Sequence, residues 1–142
     1  MKHKLRKLTI TVATITLALL LWLWWTLFSP WGYAPPADLP PVDAAVQHQV
    51  FAYGTLRQPL VRWLVIGRLP EVQPAVLPGF RKQGRNVLPQ PGAMTRGVVF
   101  AVSADELRRL DRYERLGVRY QRRQLPLASG YPAWVYLRIE DD

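Results

Sequence analysis

Val50-Phe51-Ala52-Tyr53-Gly54-Thr55-Leu56 is the stretch on which the fold turns. A short apolar run stopped by glycine reads as a buried strand. Pro59 stands where a helix begins, because the first turn has no use for the N–H that proline lacks. The spacing predicts a helix from Pro59 to about Ile66, with Leu60, Leu64 and Trp63 inward and Gly67 closing it. A strand that ends in a glycine turn ahead of a helix can aim successive backbone N–H groups at one point. Carboxylates and developing oxyanions bind well in such a place. An ordinary strand-to-helix turn carries the same four residues, Tyr53-Gly54-Thr55-Leu56.

Toward the C-terminus, strands are expected around Ala75–Lys82 and Met94–Val102. A turn-rich stretch holding Gly84, Asn86, Pro89, Pro91 and Gly92 separates them. Ser103 and Glu106 have the spacing of a capping box and open a helix of about 11–13 residues, ended by Gly117. Arg119–Ala128 and Tyr131–Ile139 read as a hairpin across Ser129-Gly130. The class is α+β: a small, mixed, mostly antiparallel curved sheet or barrel with two packed helices, preceded by one transmembrane helix. No internal repeat is present.

Toward the N-terminus the composition changes. Leu8–Phe28 is a run of 21 residues without a charge. At ~1.5 Å per residue it is about 31 Å long as a helix, the thickness of a bilayer core. Lys2, Lys4, Arg6 and Lys7 precede it, and no basic residue follows until Arg57. That asymmetry places the N-terminus in the cytoplasm and the rest outside it, in the periplasm if the source is Gram-negative. Trp22, Trp24, Trp25 and Trp31 gather at the distal end, where amphipathic rings settle among headgroups. A cleaved signal peptide would have a shorter apolar core, and its best site, Gly32-Tyr33-Ala34, is followed by Pro35. Residues 1–28 are therefore read as basic tip and anchor. Residues 29–47, with five of the 13 prolines, are read as a semi-extended linker lifting the domain off the membrane, and residues 48–142 as the folded domain.

The chain has no cysteine, and its two histidines are His3 and His48. Thiol nucleophiles, disulfides and histidine-rich zinc sites are excluded. No cofactor is expected. Residues 29–142 carry 15 basic and 10 acidic side chains, and 14 of the 15 are arginine. Such a surface is compatible with anionic lipid or a carboxylate-bearing substrate. A nucleic-acid partner is not expected for a domain outside the cytoplasm, and no feature specifies a protein partner.

One carboxylate is out of place. On a wheel of the Ser103–Arg115 helix, Leu107 and Leu110 define the inward face, and Glu114 falls within about 20° of Leu107 and about 40° of Leu110. Arg108, Arg109, Arg112 and Arg115 fall on the flank or back, toward water. A carboxylate on the inward stripe is costly unless it is bonded, paired or lining a cavity. Either Glu114 pairs with an arginine or caps a loop where the helix frays, or it lines a pocket as a general base with a raised pKa. Asp111, about 40° to the other side of Leu107, is read as structural, accepting hydrogen bonds from a neighbouring loop.

Together these elements resemble the γ-glutamylcyclotransferase-like superfamily, particularly its branch of γ-glutamylamine cyclotransferases and avirulence-induced-gene proteins. The resemblance begins at Val50–Leu56 and continues through Gly97-Val98-Val99-Phe100 and Leu110-Asp111-Arg112-Tyr113-Glu114. It ends in Tyr120-Gln121-Arg122, covering the domain from about Val50 to Ile139. The family often has glycine directly after the glutamate, where this chain has Arg115, and Arg85–Pro91 matches only vaguely. The resemblance implies that Glu114 is the catalytic base and that Tyr53, Gly54, Thr55, Leu56 and Tyr120 bind substrate. It implies a small γ-glutamyl substrate, cyclised to 5-oxoproline with release of an amine or amino acid. A non-catalytic ligand-binding or scaffold module of the same fold is the alternative.

Overall fold

The strand read from Val50 lies at the centre of a five-stranded sheet. In the computed structural model, which describes residues 1–28 and 32–139, the strands are β1 (His48–Ala52), β2 (Val72–Gln83), β3 (Asn86–Val102), β4 (Tyr120–Pro126) and β5 (Pro132–Arg138). Their order is β2-β3-β1-β5-β4. β1 runs antiparallel to β3 and parallel to β5, and the other pairs are antiparallel. Side chains alternate along β1, so Phe51 and Tyr53 share one face and Val50 and Ala52 the other. Phe51 and Tyr53 join Leu77, Val87, Val135 and Leu137 in one core cluster. Burying each such aliphatic chain is worth about 1.5–3 kcal/mol.

The described residues also form three helices, α1 (Lys2–Phe28), α2 (Pro59–Ile66) and α3 (Ala104–Tyr113), and a 3₁₀ turn at Thr55–Arg57. The Ser103 cap works in both directions. Its hydroxyl accepts from the Glu106 N–H, and its own N–H donates to the Glu106 carboxylate at 2.8 Å. Leu107 and Leu110 are fully buried, as the wheel requires.

The chain falls into two units, Met1–Ala34 and Pro35–Asp142. In the first, α1 is long and apolar enough to cross a membrane, a property that signal sequences share. From Leu5 to Trp25 its large apolar side chains are exposed, apart from the half-buried Leu23. Thr9, Thr11, Thr14 and Thr16 each donate their hydroxyl to the carbonyl four residues back, so these polar groups need no water. Trp31 lies outside the described residues.

Several local expectations differ from the structure. The turn-rich stretch after Lys82 is mostly strand: the turn is Gly84-Arg85, and β3 already starts at Asn86. Pro89 and Pro91 are tolerated because β1 pairs only with residues 98–102 of β3, so the earlier half of β3 has one partner and a free edge. On α2 the inward residues are Arg62, Val65 and Ile66, while Leu60 is 65% and Trp63 52% exposed and Leu64 is half-buried. This helix is apolar nearly all round, so periodicity carried little information, and Arg62 is drawn inward by the carbonyls it bonds. On α3, Arg109 and Arg112 are not simply solvated. Arg109 donates to the Ile66 carbonyl at the end of α2, and two Arg112 guanidinium nitrogens are shielded from solvent. Finally, the linker from Pro35 onward folds back on the domain. Arg122 donates to the Pro40 carbonyl at 3.2 Å, the Asp43 carbonyl lies 2.8 Å from His48 Nε2, and Pro36 and Leu39 lie close over Gly117.

Candidate active site

Glu114 terminates α3. The helix stops at Tyr113, not at Gly117, and Glu114 is its C-cap residue, with its N–H bonded to the Leu110 carbonyl at 2.9 Å. Arg115 then takes the left-handed conformation (φ 51°), and Leu116, fully buried, bonds back to the Asp111 carbonyl. The last helical turn and the Leu116 anchor together aim Glu114 off the inward stripe into a cavity of 690 Å³. Burial pushes its carboxyl up to about 7.

The same cavity is lined by Tyr53, Gly54, Thr55 and Leu56 and by Tyr120. The six residues singled out in the sequence thus border one space. In the 3₁₀ turn, the Arg57 N–H bonds the Gly54 carbonyl and the Gln58 N–H bonds the Thr55 carbonyl. The preceding amides, of Gly54, Thr55 and Leu56, are the first-turn donors that such a helix does not use itself. A Cβ on Gly54 would meet nothing within 4 Å, so that side of the loop is open. The buried Leu56 side chain anchors the loop from beneath. Tyr53 offers the cavity its ring and backbone, because its hydroxyl is donated to the Tyr136 carbonyl. Burial raises the pKa of that phenol, with smaller contributions from Tyr120 and Glu114. Tyr120 donates to the Arg85 carbonyl at 3.3 Å, fixing the β2–β3 turn against the cavity. Its phenol is also raised by burial and, less strongly, by Glu114.

Three supporting contacts escaped the sequence. Arg62 Nη1 donates to the Leu56 and Arg57 carbonyls at 2.8 and 2.6 Å, clamping the loop from behind. Burial lowers its pKa. A lone charge in an otherwise apolar helix was the available signal. Thr55 Oγ1 and the Tyr113 hydroxyl are 3.1 Å apart, tying the loop to the residue before Glu114. The third is a buried network behind α3. Asp111 accepts from the Tyr136 hydroxyl at 2.6 Å and pairs with Arg122 at 2.9 Å. The Arg122 guanidinium stacks 4.2 Å over the Trp134 ring. Asp111 is therefore structural, but its partners come from β4 and β5 rather than a loop. Burial raises its pKa, and the bonds from Tyr136 and Arg122 pull the other way. Among the described residues no three histidine or carboxylate groups converge as a metal site.

The family described as gamma-glutamyl cyclotransferase, AIG2-like matches residues 50–142. The chain belongs to this family. Its domain is similar to AIG2-like protein A of Arabidopsis thaliana, with 36% identity over 56% of this chain and 52% of that protein. It is also similar to AIG2-like protein B, with 31% identity over 56% and 49%. The chain spans about half the length of these relatives. Among solved structures it resembles one from Arabidopsis thaliana at 30% identity and TM-score 0.58, covering 72% of this chain and 76% of that one. A structure titled gamma-glutamyl cyclotransferase shares the fold, with TM-score 0.59 at 18% identity over 68% of this chain and 69% of that one. In the family's terms, Gly97 of the strand motif has a clear cause. A Cβ there would stand 2.3 Å from the Ala52 carbonyl oxygen and 2.7 Å from the Phe51 ring.

Proposed function

We propose that this chain is a membrane-anchored cyclotransferase that converts a γ-glutamyl group into 5-oxoproline and releases an amine or amino acid. The observation that carries the reading is one cavity holding both the Gly54–Leu56 loop and a carboxyl that titrates near 7. The loop amides hold the glutamyl part of the substrate, with Tyr53 and Tyr120 forming the walls beside it. The Glu114 carboxylate takes a proton from the substrate's α-ammonium. The freed nitrogen attacks the γ-carbonyl carbon, a new C–N bond closes the five-membered ring, and the old amide C–N bond breaks. The proton lost by the attacking nitrogen passes through Glu114 to the departing amine. A group with pKa near 7 both accepts and returns a proton at neutral pH, and a positioned base of this kind contributes ~10²–10⁴-fold. The attack is intramolecular, so much of the protein's task is to hold the folded conformer.

The apolar α1, with four cations ahead of it, supports an uncleaved anchor with the N-terminus in the cytoplasm and the domain on the far side. A reporter fused after Asp142 should be active only where export is required; cytoplasmic activity would overturn that topology. The chemistry is tested by incubating the full chain in detergent with a panel of γ-glutamyl compounds. Release of 5-oxoproline is expected from at least one. Binding without release would favour the non-catalytic module.

A further inference from the structure

The polarity of α2 is inverted. Its one charged residue, Arg62, is buried, with Val65 and Ile66 beside it on the inward face. At ~100° per residue, Leu60, Trp63 and Leu64 fall within about 100° of one another on the opposite side. Leu60 and Trp63 are exposed there and Leu64 is half-buried. Apart from the Trp63 indole N–H, no side chain on that outer face can bond water. A helix that faces water normally turns its charged residues outward. Leu69, three residues beyond the helix, is exposed as well. A single exposed leucine needs no explanation, whereas a row of large apolar side chains marks a contact surface.

Two features of the chain indicate what meets this face. The first is where the tether arrives. Pro36 packs against Gly117, just beyond α3, and the Tyr113 hydroxyl at the end of α3 is 3.1 Å from Thr55 Oγ1, in the turn that leads into α2. The segment following α1 therefore joins the domain at the end of α3 that also holds the start of α2. Residues 29–34 alone separate α1 from Pro35. A chain of that length reaches at most about 25 Å, so an α1 anchored in a bilayer keeps this end of the domain close to the lipid surface. The second feature is charge. Arg57 and Arg68 stand exposed at either end of α2. Arg68 is shared with Glu106, while Arg57 joins none of the ion pairs among the described residues. Leucine and tryptophan flanked by arginine suit the boundary between headgroups and acyl chains, where the apolar groups enter and the guanidinium stays among phosphates.

We propose that α2 docks on the surface of the bilayer that α1 spans, with Leu60 and Trp63 entering the interface and Arg57 at the level of the lipid phosphates. This rests on the reading of α1 as an anchor and adds a second lipid contact, made by the folded domain itself. Arg57, Gln58 and Pro59 also line the Glu114 cavity. Docking therefore orients the domain and holds one rim of that cavity beside the headgroups.

The chain has no cysteine, so single cysteines can be introduced and labelled with an environment-sensitive fluorophore. Labels at Leu60→Cys and, separately, Trp63→Cys are compared with labels at Leu19→Cys and Tyr131→Cys. Each full-length variant is reconstituted into phosphatidylcholine–phosphatidylglycerol vesicles carrying nitroxide lipids, with the quencher either near the headgroup or deep in the acyl chain. Leu19 lies mid-way along α1. Tyr131 is exposed just before β5, at the opposite end of the sheet from the Gly54 turn, because β1 and β5 run parallel. The labels at 60 and 63 should lose more emission to the shallow quencher than to the deep one, as a depth of about 5–10 Å requires. The label at 19 should lose more to the deep quencher, and the label at 131 should lose to neither. No loss at 60 and 63 with normal loss at 19 would overturn the docking and leave the anchor standing. Loss at 60 and 63 with none at 19 would support the docking and overturn the anchor. Labels at 60 and 63 that are shielded from aqueous iodide yet untouched by nitroxide lipids would mean that protein covers this face, and the docking would fail. Equal loss at 131 and 60 would mean unspecific adsorption and would overturn it too.

Discussion

Replacing Glu114 with glutamine should stabilise the protein above pH 7 and change little at pH 4. The carboxyl titrates near 7 in the folded chain, where burial opposes ionisation, against 4.5 for an ordinary glutamate. Below pH 4.5 both folded and unfolded states hold the proton, and no free energy depends on it. Between 4.5 and 7 the folded state keeps a proton that the unfolded state has released. Stability then falls as pH rises, by up to about 1.4 kcal/mol per pH unit. By pH 8 the accumulated cost of this one side chain is about 3 kcal/mol. Glutamine keeps the volume and does not ionise, so the variant escapes that loss. Urea unfolding of the full chain in detergent at pH 4, 6 and 8 reads the difference directly. The gap between variant and unaltered chain should open with pH. A constant gap, or a variant that is less stable at pH 8, would mean that Glu114 is paired in the fold, and the reasoning would fail.

Gly97→Ala should destabilise the domain by about 3 kcal/mol or more, because the added methyl must displace a backbone carbonyl and a core ring; a melting temperature within a degree of the unaltered chain would refute this. Arg62→Met should cost about 1–3 kcal/mol by leaving two loop carbonyls without their donor, and should raise KM more than it lowers kcat. Arg115→Gly should raise stability by roughly 0.5–1 kcal/mol, since glycine adopts the left-handed conformation without Cβ strain; calorimetric melting decides it.

The sequence carried the architecture because its signals were local and strong. Val50–Tyr53 is too apolar to sit anywhere but the middle of the sheet. Ser103 and Glu106 announce a helix start, and Glu114 contradicts its own stripe. The hairpin from Tyr120 to Arg138 was legible from its turn. What could not be read depended on tertiary partners. Arg62 turns inward because the loop offers it carbonyls, which no periodicity shows. The prolines at 89 and 91 look like loop until the unpaired edge of β3 is known. Asp111 finds Tyr136 and Arg122 through sheet pairing, and the proline segment docks because Gly117 leaves room for Pro36 and Leu39.

The central claim, that Glu114 is the base of an intramolecular cyclisation, is tested most directly by the rate of 5-oxoproline release at pH 8 from the unaltered chain and from Glu114→Gln, both shown to be folded. The account predicts turnover by the former and a loss of ~10²–10⁴-fold or more in the latter. Near-equal rates would contradict it.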